Sequence, residues 1–235
     1  MDLIEVNASR ACCSYACTRS RCKINRTLKR TTSRRLSRIS PATPASSIFA
    51  GVDFMQPAPV VAHQLIGVVL LINGVGGRIV ETEAYDHDDP ASHTYPGPTP
   101  RNAVMFGPPA HVYVYRSYGI HWCLNLVCRE VGHGAGVLIR ALEPTKGIAA
   151  MQHRRGTTDL RLLCSGPGRL GQALAVNAGL NGAALAGPEV TLEGFGDAEP
   201  YVVLTGPRIG ITKAVDVPWR FGAAGSRFLS RPFAG

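Results

Sequence analysis

A single α+β domain is predicted by three features of this chain. Several β-rich runs are interspersed with helical stretches, without the strand–helix–strand alternation that builds a parallel sheet. Asn73-Gly74 stands between VVLLI and RIVETEAY, a dipeptide that supplies the two positive-φ residues of a tight hairpin turn. HVYVYR and IHWCLNLV flank a short Ser117-Tyr118-Gly119 break, which reads as a second hairpin.

With 235 residues the chain is long enough for one sizeable core. The domain is expected over residues 51–235, preceded by a basic tail and linker over 1–50. Residues 1–40 carry ten of the 25 Lys and Arg but only two of the 16 acids. The rest holds 15 basic and 14 acidic residues, so the net charge of +9 belongs to the tail and says little about the domain's partners. A basic arm adds salt-sensitive affinity for phosphates. The tail is rich in Arg, Ser and Thr and poor in large apolar residues, so it is expected to be disordered. Its Arg/Ser bias faintly resembles an organellar transit peptide, against which Asp2 and Glu5 argue. It has no apolar run fit for a signal peptide, and no stretch of the chain is suited to span a membrane. Cys12, Cys13, Cys17 and Cys22 cluster there without histidine and without the paired spacing of a zinc site. Cys123, Cys128 and Cys164 read as small buried hydrophobes. Seven cysteines without a secretory signal point to a reducing compartment: cytoplasm or nucleoid in a bacterium, nucleus in a eukaryote.

Along the domain, Pro57–Pro59 opens a helix with Val60, Val61 and Leu65 inward and Gly67 as its C-cap. VVLLI is a buried strand. Gly74, Gly76 and Gly77 are no phosphate loop, because a strand follows them rather than a helix. GVLIRALEP is another strand; Pro144 then opens a helix through Arg154, and Ser165-Gly166-Pro167 caps one through Val176. Further strands are expected near Glu189–Glu193 and Tyr201–Leu204.

RIVETEAY is the first stretch with chemistry. Strand alternation puts Ile79, Glu81, Glu83 and Tyr85 on one face and Val80, Thr82 and Ala84 on the other. Two carboxylates beside a ring are either solvated at an edge or buried with partners, since an unpaired buried charge is costly. In the second hairpin Val112 and Val114 oppose Tyr113 and Tyr115 across the strand, and Trp122, Leu124 and Leu126 alternate with Cys123, Asn125 and Val127. Tyr118 at the tip either packs under a distant loop or serves as a wedge between stacked bases. Leu138, Arg140 and Leu142 share a strand face, and an inward Arg140 requires a carboxylate or a charged ligand. The loop from Asp86 to His93 holds two histidines and three aspartates, but calcium-loop spacing is absent and no metal is expected.

Seven stretches, VETEAY, ASH, TPRNAVMF, YVYRSYGIHWCLN, LIRALEP, LCSGPGRLGQAL and PRIGI, resemble the alkylpurine-type 3-methyladenine DNA glycosylases in the same order. The resemblance runs over about residues 57 to 232. It implies a curved antiparallel sheet with surrounding helices, a hairpin that protrudes into the minor groove, and a reaction without cofactor. It implies Glu83 as general base, with Arg140 and the backbone carbonyl of Ile209 holding the attacking water. Glu81 lies outside the matched catalytic position and is read as structural. Tyr85 and His93 would stack on one side of a flipped purine and Tyr115 on the other. Asn125 would oppose the 2-amino group of guanine, and Tyr118 would fill the gap in the duplex. Met105 lies in a matched segment, where packing is its expected role.

The expected enzyme is thus a monomeric DNA repair glycosylase. It would flip alkylated or deaminated purines from double-stranded DNA and leave an abasic site. Of the four lysines only Lys146 and Lys213 lie in the domain, neither in a matched motif, so no lyase step is expected. Two rivals remain: a non-catalytic module that binds damaged DNA or RNA, and a metal-dependent hydrolase using His87, His93 and the nearby aspartates.

Overall fold

The computed structural model describes residues 48–185, 187–195 and 200–233. The basic tail and its cysteine cluster lie outside these residues. Two strands, β4 (Val75–Tyr85) and β7 (Ala135–Lys146), form the spine of a curved, antiparallel, eight-stranded sheet. Beyond β7 lie β6 (His121–Cys128) and β5 (Val112–Ser117); beyond β4 lie β10 (Arg220–Ala223) and β9 (Val203–Gly206). β3 (Val69–Ile72) pairs with the first part of β4 and with β8 (Val190–Glu193). A separate two-stranded ribbon joins β1 (Ile48–Phe49) to β2 (Val52–Asp53). The α+β class predicted from the sequence is the class observed.

Local chemistry explains the joints. Asn73 and Gly74 both have positive φ, 49° and 76°, as the two-residue turn between β3 and β4 requires. Helices α1 (Ala58–Gln64), α2 (Ile148–Arg155), α3 (Leu160–Leu163) and α4 (Pro167–Ala173) help cover one sheet face. That face contributes Leu70, Leu124, Leu126, Val137 and Ile139 to the core, with Leu65 and Met151 from the helix side. Helix α4 comes so close to β6 that a Cβ on Gly171 would lie 2.2 Å from the Trp122 carbonyl oxygen. No larger residue permits that approach.

Several sequence expectations need correction. Val60 is 41% exposed rather than inward, because α1 turns Ala58, Val61 and Ala62 to the core instead. Pro144 lies inside β7, opposite Gly77; the strand continues to Lys146 and α2 starts only after Gly147. Helix α4 ends at Ala173, short of Val176. The strict period-two reading fails at one place. The β4–β7 register shifts on both sides of Glu81, so Ile79 and Leu142 pair with each other and enter the core. Glu81, Glu83 and Tyr85 remain on the opposite face with Leu138 and Arg140.

Candidate active site

The face opposite the helices carries a cavity of about 680 Å³. Glu83, Tyr85, His93, Tyr115, Tyr118, Asn125, Arg140 and Ile209 all line it. These come from β4, the loop after it, β5, the hairpin tip, β6, β7 and the segment after β9, so only the folded sheet brings them together.

Glu83 is fully buried at the cavity wall. Its Oε1 accepts from the Ile209 backbone N–H at 2.7 Å and lies 3.1 Å from Nη1 of Arg140. Its Oε2 accepts from the Tyr85 hydroxyl at 2.8 Å. A carboxylate has roughly four acceptor positions; three are used, and one is left for a further donor. The Ile209 backbone N–H thus meets Glu83 itself, a contact separate from the water-holding role that the resemblance implies for the Ile209 carbonyl. Burial raises the Tyr85 pKa, and the charge and hydrogen bond of Glu83 raise it further, so Tyr85 stays a neutral donor. Burial also raises Tyr115, with Cys123 adding to it.

Behind Glu83 lies a second buried acid. Glu81 Oε1 accepts from Arg140 Nε at 3.0 Å, Arg220 Nε at 2.8 Å and the Ser230 hydroxyl at 2.8 Å, and Oε2 accepts from the Ser230 N–H at 2.5 Å. Burial alone would lower the Arg140 pKa, but Glu83 and Glu81 together raise it. Arg140 therefore bridges the two acids as a fixed cation.

The aromatic side is closed. The His93 and Tyr115 rings meet edge to face, 4.4 Å between centroids, and His93 Nδ1 lies 3.2 Å from the Tyr113 hydroxyl. A base stacked between two rings needs them about 7 Å apart, so the sandwich is not open in this conformation. Contact with the neighbouring rings strips water from the His93 imidazole and lowers its pKa, and Arg101 adds to this. The lowered pKa favours the neutral imidazole. Asn125 is buried, its Nδ2 donating to the Tyr113 carbonyl at 3.1 Å. Met105 packs with Tyr113 and Val127 under this wall.

Tyr118 is 91% exposed at the tip of the β5–β6 hairpin. Its φ is 49°, uncommon for an aromatic residue, and Gly119 follows at 69°. Ile120 beside it is also exposed. No distant loop among the described residues covers the tip.

Two arginines escaped the sequence reading, and one lysine was set aside by it. Arg208 is buried between the Tyr85 and Trp219 rings, its guanidinium carbon 4.8 Å and 5.4 Å from their centroids, and it pairs with Asp89. Arg220 pairs with Glu81. Lys213 lines the cavity as an exposed rim residue, so one body lysine does reach the site. The Asp86–His93 loop also divides: Asp89 goes to Arg208, His93 to the tyrosines, and Asp86 and His87 to His133.

The sequence over residues 52–227 matches the family model described as methylpurine-DNA glycosylase. The chain belongs to that family. It is 64% identical over 182 residues to a protein of Nitrosospira multiformis described as "Putative 3-methyladenine DNA glycosylase", covering 77% of this chain and 93% of that one. It is 60% identical over 173 residues to a protein of the same description from Bradyrhizobium diazoefficiens, covering 74% and 86%. No helix among the described residues is long and apolar enough to cross a membrane.

Proposed function

We propose that this member of the methylpurine-DNA glycosylase family excises 3-methyladenine-class purines, alkylated or deaminated, from double-stranded DNA. The observation that carries the reading is Glu83, a buried carboxylate with one acceptor position unused at the wall of a tyrosine-lined cavity. A water bound there attacks C1′ of the everted nucleotide and gives its proton to Glu83. The N-glycosidic bond breaks and its electron pair leaves with the base. The negative carboxylate also favours the positive charge that develops on the sugar. Ile209 and Arg140 hold the acid in place.

For a base to enter, His93 and Tyr115 must part; Tyr85 and His93 then face one side of the purine and Tyr115 the other. Alkylation at N3 or N7 makes the base cationic, and neutral ring faces attract a cation. Each stacked base gains roughly 1–3 kcal/mol. Asn125, pinned by its bond to Tyr113, opposes the 2-amino group of guanine by bulk. Asn125→Ala is expected to raise release of undamaged guanine; an unchanged rate would remove this role.

Tyr118 fills the place of the everted nucleotide. Its exposure and its positive φ keep the ring ready for a partner outside the chain. Tyr118→Ala should slow excision from duplex by about 10–100-fold, matching the loss of one stacked ring, and leave excision of an unpaired lesion nearly unchanged. Equal effects on both substrates would make the tip a general contact.

The reaction ends at the abasic site. Lys146 is held by Glu193 at 2.8 Å, and Lys213 sits at the rim. The test is incubation with methylated duplex DNA: free 3-methyladenine is released, the strand stays uncut, and borohydride traps no covalent adduct. Binding without release would favour the non-catalytic module instead. A trapped adduct lost in Lys213→Ala would overturn the monofunctional reading.

A further inference from the structure

Asp86, His87 and His133 meet at a point that the proposed chemistry does not use. Asp86 Oδ1 lies 2.6 Å from His133 Nε2 and 3.0 Å from His87 Nδ1, and the two nitrogens are 3.1 Å apart. The three atoms form a small triangle of one carboxylate oxygen and two imidazole nitrogens.

Hydrogen bonds satisfy this triangle only by sharing a proton between two edges. A carboxylate oxygen only accepts, and each imidazole nitrogen carries at most one proton. If both nitrogens donate to Asp86, two donors face each other across the third edge. If one is bare, the other's single proton must serve both the bare nitrogen and Asp86 Oδ1, which already accepts from the His87 backbone N–H at 2.7 Å. A single cation in the middle satisfies all three edges at once. Tetrahedral ligands about 2.0–2.2 Å from a zinc ion stand about 3.3–3.6 Å from one another, so all three edges would widen on binding, the 2.6 Å edge from Asp86 to His133 by about 0.7–1.0 Å.

The surroundings fit a metal as well. Glu130 Oε1 lies 3.6 Å from Nδ1 of His133, the other ring nitrogen, where a carboxylate commonly orients a metal-bound imidazole. The Asp86 and His133 side chains are only 11% and 16% exposed, while His87 is 51% exposed and gives an ion a way in. Asp86 opens the loop after β4; His133 belongs to the turn between β6 and β7. The Thr94 hydroxyl already ties that loop to the turn, donating to the Gly134 carbonyl at 2.8 Å.

We infer that Asp86, His87 and His133 bind one divalent ion of the zinc class, which bolts the loop carrying His93 to the β6–β7 turn. Two imidazoles and a carboxylate suit Zn²⁺ and leave a position for water. This departs from the expectation, drawn from sequence, that the domain holds no metal.

The experiment uses the full chain, stripped with a chelator, dialysed and titrated with zinc chloride and separately with cobalt chloride. The wild type should take up one equivalent more than either His87→Ala or His133→Ala, and affinity at that site should fall by more than about 100-fold in both. That equivalent should show cobalt bands without sulfur-to-metal charge transfer, which separates it from any site on the tail cysteines. Zinc should raise the unfolding midpoint of the wild type and of neither variant. His87 is half exposed, so its variant reports on the site even if loss of His133 harms folding. Equal uptake by wild type and His87→Ala, or a zinc shift that persists in it, would overturn the proposal. Metal uptake is read without any glycosylase assay, so its failure leaves the proposed excision chemistry untouched.

Discussion

Glu83→Gln is expected to slow base release by about 10²–10⁴-fold, the usual worth of a positioned general base. Lesion binding should change by no more than a few-fold. The amide oxygen can keep the bonds from Ile209 and Arg140, while the new amide nitrogen can donate to the Tyr85 hydroxyl. The cavity therefore keeps its shape and loses only the group that takes a proton from water. Single-turnover release of 3-methyladenine, measured beside equilibrium binding of the same duplex, separates the two effects. Release within about threefold of wild type would take the proton acceptor away from Glu83.

Glu81→Ala should cost stability far more than chemistry. Glu81 is buried, and Arg140, Arg220 and Ser230 all donate to it. Removing one partner of a buried charge network typically costs about 3–5 kcal/mol, because the remaining charges stay desolvated. For a domain of this size that lowers the unfolding midpoint by on the order of 10 °C. Denaturant titration of the variant measures it. A loss below about 0.5 kcal/mol, as at an ordinary surface site, would show that the two arginines find other partners. At temperatures where the variant is folded, release should remain well above that of Glu83→Gln, since Arg140 still has Glu83 to hold.

Short-range pattern explains what could be read before the fold was known. The Asn73-Gly74 turn and the alternation in β5 and β6 depend on neighbours in the chain, and both are present as expected. Tyr113 and Tyr115 face the cavity, and Val112 and Val114 face the core. The misreadings cluster where two distant strands must fit together. Ile79 and Leu142 change faces because β4 and β7 slip register around Glu81, and nothing near either residue announces the slip. Pro144 reads as a helix opener, yet β7 needs that length to reach Gly77. Arg208 and Arg220 escaped notice because their partners, Asp89 and Glu81, lie more than a hundred residues away. Lys213 reaches the cavity rim from a segment with no motif of its own. The strand pattern put Glu81, Glu83 and Tyr85 on one face but left an edge and a buried site both open; the resemblance singled out Glu83. Its three donors were less legible, since the Ile209 N–H belongs to the backbone and leaves no mark in side-chain identity.

The contact between His93 and Tyr115 bears on inhibitor discovery. A flat heterocycle offered to the free protein has to prise two rings apart with its own binding energy. Its apparent affinity is weakened by the fraction of molecules already ajar. On the proposed reading, in which duplex DNA parts the two rings, compounds that carry a piece of duplex or wedge from the hairpin side escape that handicap.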